Sequence, residues 1–106
     1  VSIGFNGFPV GIVDDERLQD RALKYKIIVH AEMNALMFAS SRLNGCTLYT
    51  YPFLPCSRCA AIVIQAGIKR VVAPSLPSRL EARWGDDIRF SKALLTEAGI
   101  AVEERD

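Results

Sequence analysis

Several things are scarce in this chain of 106 residues, and each scarcity excludes something. It holds one histidine, one tryptophan, two methionines and three cysteines. Three thiols are too few for the disulfide framework of a small secreted domain. Two of them, spaced as Cys56-Ser57-Arg58-Cys59, instead point to metal binding or redox chemistry in a reducing compartment. An excess of one charge is also missing. A net charge of +1 sets up no broad basic field, and no long run of like charge occurs, so nucleic acid is not an expected partner. No stretch approaches the roughly 18 uninterrupted apolar residues of a membrane-spanning helix, which excludes such a span here. The N-terminus lacks a charged-then-apolar leader pattern, so the expected location is the cytoplasm.

What remains is the composition of a soluble globule, 50% apolar and 24% charged. A chain this long is expected to form one domain over residues 1–106 that buries roughly 60–70% of its unfolded surface. The opening "VSIGFNGFPVG" reads as a short strand emptying into a loop at Gly7, Pro9 and Gly11. The charged segment from Asp14 to Lys26 reads as a loop or short helix capped by Asp14 or Asp15, with Arg17, Arg21 and Lys24 on one face. A helix is predicted from His30 to Ser41, closed by the turn at Asn44-Gly45 and buried because both of its faces are apolar. Then come a strand, "TLYTY", and a helix from Pro55 to Gly67 with Pro55 in its first turn. A second strand, "IKRVVAP", an irregular stretch, a helix capped by Asp86 or Asp87 and ended by Gly99, and a last strand, "IAVEER", complete the chain. Alternating strands and helices predict an α/β layered domain with parallel pairing at least in the second half.

The reactive residue types form one constellation: His30-x-Glu32, then Pro55-Cys56-x-x-Cys59. One imidazole and two thiolates suit Zn2+, and three protein ligands leave the fourth tetrahedral position open, as a catalytic site requires. All three fall in the first turns of predicted helices, where unpaired N–H groups and the helix dipole favour anionic ligands. Glu32 lies too close to His30 to be an i+4 co-ligand, yet near enough to reach a water held on the ion. Zinc lowers the pKa of such a water from about 16 toward 7, and a neighbouring carboxylate can carry its proton. A lone histidine at a helix start is usually a cap or a packed side chain, and a lone Cys-x-x-Cys is often structural. Proline, spacing and both helix starts together favour the catalytic reading. The alternative is a closed structural site with Cys46 as fourth ligand. Cys46 stands at the far end of a strand, roughly 17–20 Å from the Cys56 pair if that strand is extended, and reads as a buried structural thiol.

His-x-Glu with Pro-Cys-x-x-Cys is the signature of the zinc nucleobase deaminases. At these residues the chain resembles the cytidine and deoxycytidylate deaminase superfamily, and within it the deoxycytidylate-acting branch most closely. "IGFNGFPVG" resembles the family's Gly-Tyr-Asn-Gly-x-Pro-x-Gly segment. "KYKIIVHAEMNAL" and "GCTLYTYPFLPCSRCAAIVIQAGIKRVV" resemble its two zinc-binding segments, so the likeness covers about the first 73 residues. The resemblance implies a three-layer α/β/α sandwich with a mixed sheet, here without the family's first helix and first strand, and the complete protein is expected to be longer. It further implies hydrolytic deamination of deoxycytidylate (dCMP) to deoxyuridylate (dUMP) with release of ammonia. His30, Cys56 and Cys59 would bind Zn2+ and Glu32 would shuttle the proton.

On the same resemblance, the Ala31 backbone would meet the base carbonyl, Asn6 the sugar hydroxyl, and Pro55 and an aromatic, Tyr51 or Phe53, the base. Read from the residues alone, Asn6 is equally a turn residue. Gly4, Phe5 and Gly7 match a segment linked to nucleotide effectors in regulated members, and Phe5 lacks the family tyrosine's hydroxyl. Arg17 and Arg21 are candidates for a phosphate, as are Lys24, Arg79 and Arg83, although solvated charge is the ordinary role of each. Trp84 reads as a packing or subunit-contact residue. Family members assemble as homo-oligomers, dimers or hexamers. Two other functions fit the same residues: a deaminase of another nucleoside, nucleobase or tRNA base, and a zinc-stabilised binding module without turnover.

Overall fold

A computed structural model of the chain describes residues 2–39 and 42–106; the predicted ends at Val1 and Ser41, and the side chain of Leu18, lie outside that description. The residues group into two compact units, one up to residue 40 and one from 41 onward.

The second unit is an alternation of strands and helices: β1 (Thr47–Tyr49), α3 (Ser57–Gln65), β2 (Arg70–Pro74), α4 (Glu81–Glu97) and β3 (Ala101–Arg105). The strands form one sheet in the order β1-β2-β3, parallel throughout, with Leu48 opposite Val71 and Val71 opposite Val102. β2 is central, and Val71, Val72 and Ala73 in its middle are all buried. Such a continuous apolar run is what a strand covered on both faces requires. Helix α3 turns Cys59, Ala60 and Val63 inward, and α4 contributes the stripe Gly85, Ile88, Ser91 and Leu95 at helical spacing. Leu54, Val63, Val71 and Leu95 are fully buried, each contributing about 1.5–3 kcal/mol by leaving water. Gly67 and Gly99 follow the last helical turns with φ of +84°, a conformation that glycine adopts without strain.

Two expectations change here. Helix α4 begins at Glu81, upstream of the predicted cap, and passes straight through Gly85. An interior glycine costs about 1 kcal/mol relative to alanine, but Gly85 lies on the inward stripe and the Glu81 carboxylate folds across it to pair with Arg89. Asp86 and Asp87 are therefore mid-helix rather than caps. Helix α3, in turn, has Cys56 as its N-cap, so Pro55 precedes the helix instead of opening it.

In the first unit a 3-10 turn at Glu16–Leu18 is capped by Asp15, as predicted, while α1 (Arg21–Ile27) is capped by Asp20, whose carboxylate accepts the Leu23 N–H. Arg17 sits in the turn and Arg21 in the helix, so the single basic face expected of Arg17, Arg21 and Lys24 does not form on one element. The opening strand reduces to one antiparallel bridge, Gly7 with Val29; Ile3 and Phe5 are about three-quarters exposed. Helix α2 is shorter than predicted, Ala31–Met37, and none of its residues is buried. Apolar side chains all around a helix need cover on every side, and Met37 remains 74% exposed.

Candidate metal centre

The first unit builds a scaffold around the start of α2. His30 is the N-cap, with extended backbone and no capping hydrogen bond from its own side chain. A helix start leaves its first N–H groups without intrahelical partners. Here the Asn6 Oδ1, arriving from the loop, accepts the Ala31 N–H at 2.7 Å. One turn later the Asn34 Nδ2 donates to the Phe5 carbonyl, also at 2.7 Å. Between these bonds Gly4 lies flat on the helix: a Cβ there would stand 2.3 Å from the Ala31 carbonyl oxygen and 2.4 Å from the Ala35 nitrogen. Segment 4–7 is thus stitched to the turn that carries His30 and Glu32, with Glu32 in the first turn of α2.

The second unit repeats this arrangement. Cys56 is the N-cap of α3 and makes no capping hydrogen bond either. The Asp87 carboxylate accepts both the Ser57 N–H (2.9 Å) and the Ser57 hydroxyl (2.7 Å). Ser91, one turn further along α4 and completely buried, donates its hydroxyl to the Pro55 carbonyl at 2.6 Å. Cys59 is buried one turn into the helix and Cys56 is half-buried.

His30, Cys56 and Cys59 are positioned to hold a metal ion, their ligand atoms all lying within 4.8 Å of one another. Tetrahedral zinc, with nitrogen at about 2.0–2.1 Å and sulfur at about 2.3 Å, sets such atoms about 3.6–3.8 Å apart. One imidazole and two thiolates are donors that suit zinc, so the donor set fits that ion in its chemistry. Among the described residues, no fourth protein ligand joins this group. Cys46 is outside it: half-buried rather than buried, with its sulfur 4.0 Å from the Arg42 carbonyl.

The remaining predicted residues fall in varied settings. Tyr51 is 86% exposed, whereas Phe53 packs against Trp84 with ring centroids 5.8 Å apart, and the Arg83 guanidinium lies 5.5 Å from the Trp84 ring. Pro55 is fully buried. Arg17 pairs with Asp15 at 2.9 Å; the shared hydrogen bond lowers the Asp15 pKa and raises that of Arg17. Arg21 donates its Nε–H to the Tyr25 hydroxyl. Gly7 sits in the bridge to Val29. Three residues that the sequence did not place at the site stand out: Asn34, Asp87 and Ser91. Asp87 was disguised as a cap of its own helix, and the only signal for Ser91 was a hydroxyl on an otherwise apolar stripe.

Comparison with known proteins accords with this geometry. The family model of the cytidine and deoxycytidylate deaminase zinc-binding region matches residues 3–75. An uncharacterised deaminase from the luxG 3′ region of Aliivibrio fischeri is 41% identical over 102 residues, covering 96% of this chain and 69% of that protein. The human deoxycytidylate deaminase is 44% identical over 79 residues, 68% of this chain and 44% of its own length. The chain therefore spans between under half and about two-thirds of these relatives. Among solved structures, apo dCMP deaminase from the cyanophage S-TIM5 superposes with a TM-score of 0.65 at 22% identity, over 99% of this chain and 71% of that one. The same enzyme in complex with dCMP and dUMP gives a TM-score of 0.61 at 21% identity, over 96% and 70% of the two chains. At that identity the likeness establishes the fold.

Proposed function

The chain belongs to the cytidine and deoxycytidylate deaminase family, and from that premise we propose that it takes part in the hydrolytic deamination of dCMP: water and dCMP give dUMP and ammonia. The observation that carries this reading is the group of one imidazole and two thiolates with Glu32 two residues beyond the imidazole. His30, Cys56 and Cys59 would hold a zinc ion, which would supply Lewis acidity to make water nucleophilic at neutral pH.

Everything else falls to the chain's own groups. The Glu32 carboxylate carries one proton of the water to the ring nitrogen beside the reacting carbon, and then carries the remaining proton, from the hydroxyl added at that carbon, to the departing amino group as the carbonyl of dUMP forms. The Ala31 N–H orients the base by its carbonyl, and Asn6 holds a sugar hydroxyl. The Asn6 Oδ1 accepts the Ala31 N–H, which holds the two groups side by side. Phe53, braced by Trp84, is the better aromatic platform for the base than the exposed Tyr51, since a ring already held loses less rotamer entropy on binding. Between Arg17 and Arg21 as phosphate ligands, Arg21 carries the proposal, because the charge of Arg17 is already compensated by Asp15.

The test is ammonia release by zinc-loaded full-length protein given dCMP, deoxycytidine, cytosine, guanine and adenosine-containing tRNA. Turnover of dCMP well above the rest is the expected result. Equal turnover of deoxycytidine would remove the phosphate from the proposal, and binding of zinc without turnover of any substrate would replace catalysis with a structural role.

A further inference from the structure

The two cysteines of a Cys-x-x-Cys pair at a helix start face competing demands. An N-cap side chain normally accepts a hydrogen bond from an N–H of the first turn, yet Cys56 must keep its sulfur for the metal. Cys56 makes no such capping bond. Its backbone is nevertheless held on both sides from a single face of α4. On one side, Asp87 accepts the Ser57 N–H and the Ser57 hydroxyl. On the other, the completely buried Ser91 hydroxyl donates to the Pro55 carbonyl. Asp87 and Ser91 are four residues apart, hence neighbours on one helix face. They grip the residues immediately before and after Cys56.

From this we infer that Asp87 and Ser91 are positioning residues for the metal centre: together they take over the capping of α3 and fix the Cys56 backbone, leaving the sulfur to the ion. The inference rests on the reading of His30, Cys56 and Cys59 as a zinc site. Groups that orient metal ligands from outside typically alter affinity by about 10–100-fold when removed. Asparagine retains an oxygen that can accept the Ser57 N–H, so Asp87→Asn separates the hydrogen bond from the charge.

Zinc affinity of the full-length chain, measured by competition with a chromophoric chelator, tests this in the parent and in Asp87→Ala, Asp87→Asn and Ser91→Ala. Thermal melting of each metal-free variant runs alongside to separate folding from binding. We expect Asp87→Ala to weaken zinc by about 10–100-fold and Ser91→Ala by about tenfold, with Asp87→Asn within about threefold of the parent. If Asp87→Ala does not fold, the contrast between Ser91→Ala and Asp87→Asn decides. Variants that hold zinc as tightly as the parent would overturn the inference. So would an Asp87→Asn variant as weak as Asp87→Ala, since charge and not geometry would then be at work. A parent chain that binds no zinc would instead bring down the metal reading itself, and the inference with it.

Discussion

Gly4→Ala is the sharpest test of how the first unit is held together. The added methyl would stand 2.3 Å from the Ala31 oxygen and 2.4 Å from the Ala35 nitrogen, both backbone atoms of α2, so no side-chain rotation relieves the contact. Ordinary contact begins near 3.4 Å, and the segment must therefore lift by about 1 Å, an overpacking that costs typically about 1–3 kcal/mol. The same movement stretches the bonds from Ala31 to Asn6 and from Asn34 to Phe5, both 2.7 Å, beyond hydrogen-bonding range. Losing two such bonds costs about 2 kcal/mol. Because the lifting and the bond loss are one event, the terms overlap, and a total of about 2–3 kcal/mol is expected. Urea unfolding at constant m-value measures it. Zinc affinity should stay within a few-fold of the parent, because His30 itself is not displaced, while KM for the substrate rises as Asn6 leaves the helix. A Gly4→Ala protein as stable as the parent to within about 0.3 kcal/mol would refute the close approach of this segment to α2.

Three further outcomes follow from the same geometry. Glu32→Gln should retain zinc, read by metal analysis, while losing turnover by several orders of magnitude, because the proton path is cut with the ligand set intact. Cys46→Ser should leave zinc affinity unchanged; release of the metal would restore the closed four-ligand site. The Glu103 carboxyl is held below the ordinary 4.5 by hydrogen bonds from Arg70 and then Arg105. Its stabilising contribution is present at neutral pH and is lost as pH falls below 4.5 through the depressed folded value. Unfolding curves of Arg70→Met and the parent should therefore differ at pH 7 and converge in acid; a constant difference would show that Arg70 acts through packing alone.

The three residues positioned to hold a metal were legible in the sequence because such chemistry is tied to fixed spacing: Cys56 and Cys59 lie one helical turn apart, and His30 opens a helix of good formers. The three strands of the second unit were equally legible, since Val71 and Val72 sit in an apolar run bounded by turn residues. What the sequence obscured was tertiary override of local signals. Gly85 followed by Asp86 and Asp87 looks like a helix boundary, yet packing along Ile88, Ser91 and Leu95 carries α4 through it. At the N-terminus the apolar residues Ile3 and Phe5 suggested a strand, but among the described residues of that stretch only Gly7 has a ladder partner. Helix α2 ends at Met37 and none of its residues is buried, so an apolar composition did not by itself report burial.

The borrowed caps have a bearing on protein design. Transplanting His-x-Glu and Pro-Cys-x-x-Cys into a foreign scaffold would carry over the ligands but leave behind Asn6 and Asp87, the acceptors that lie 25 and 30 residues away in the chain. A grafted centre would then face a choice between capping its helices with its own ligand side chains and presenting those side chains to the ion. The smallest portable form of this site therefore includes a loop asparagine and a two-residue face of a later helix, and a search for kindred sites in unrelated folds would do better to look for that wider pattern than for the short motif.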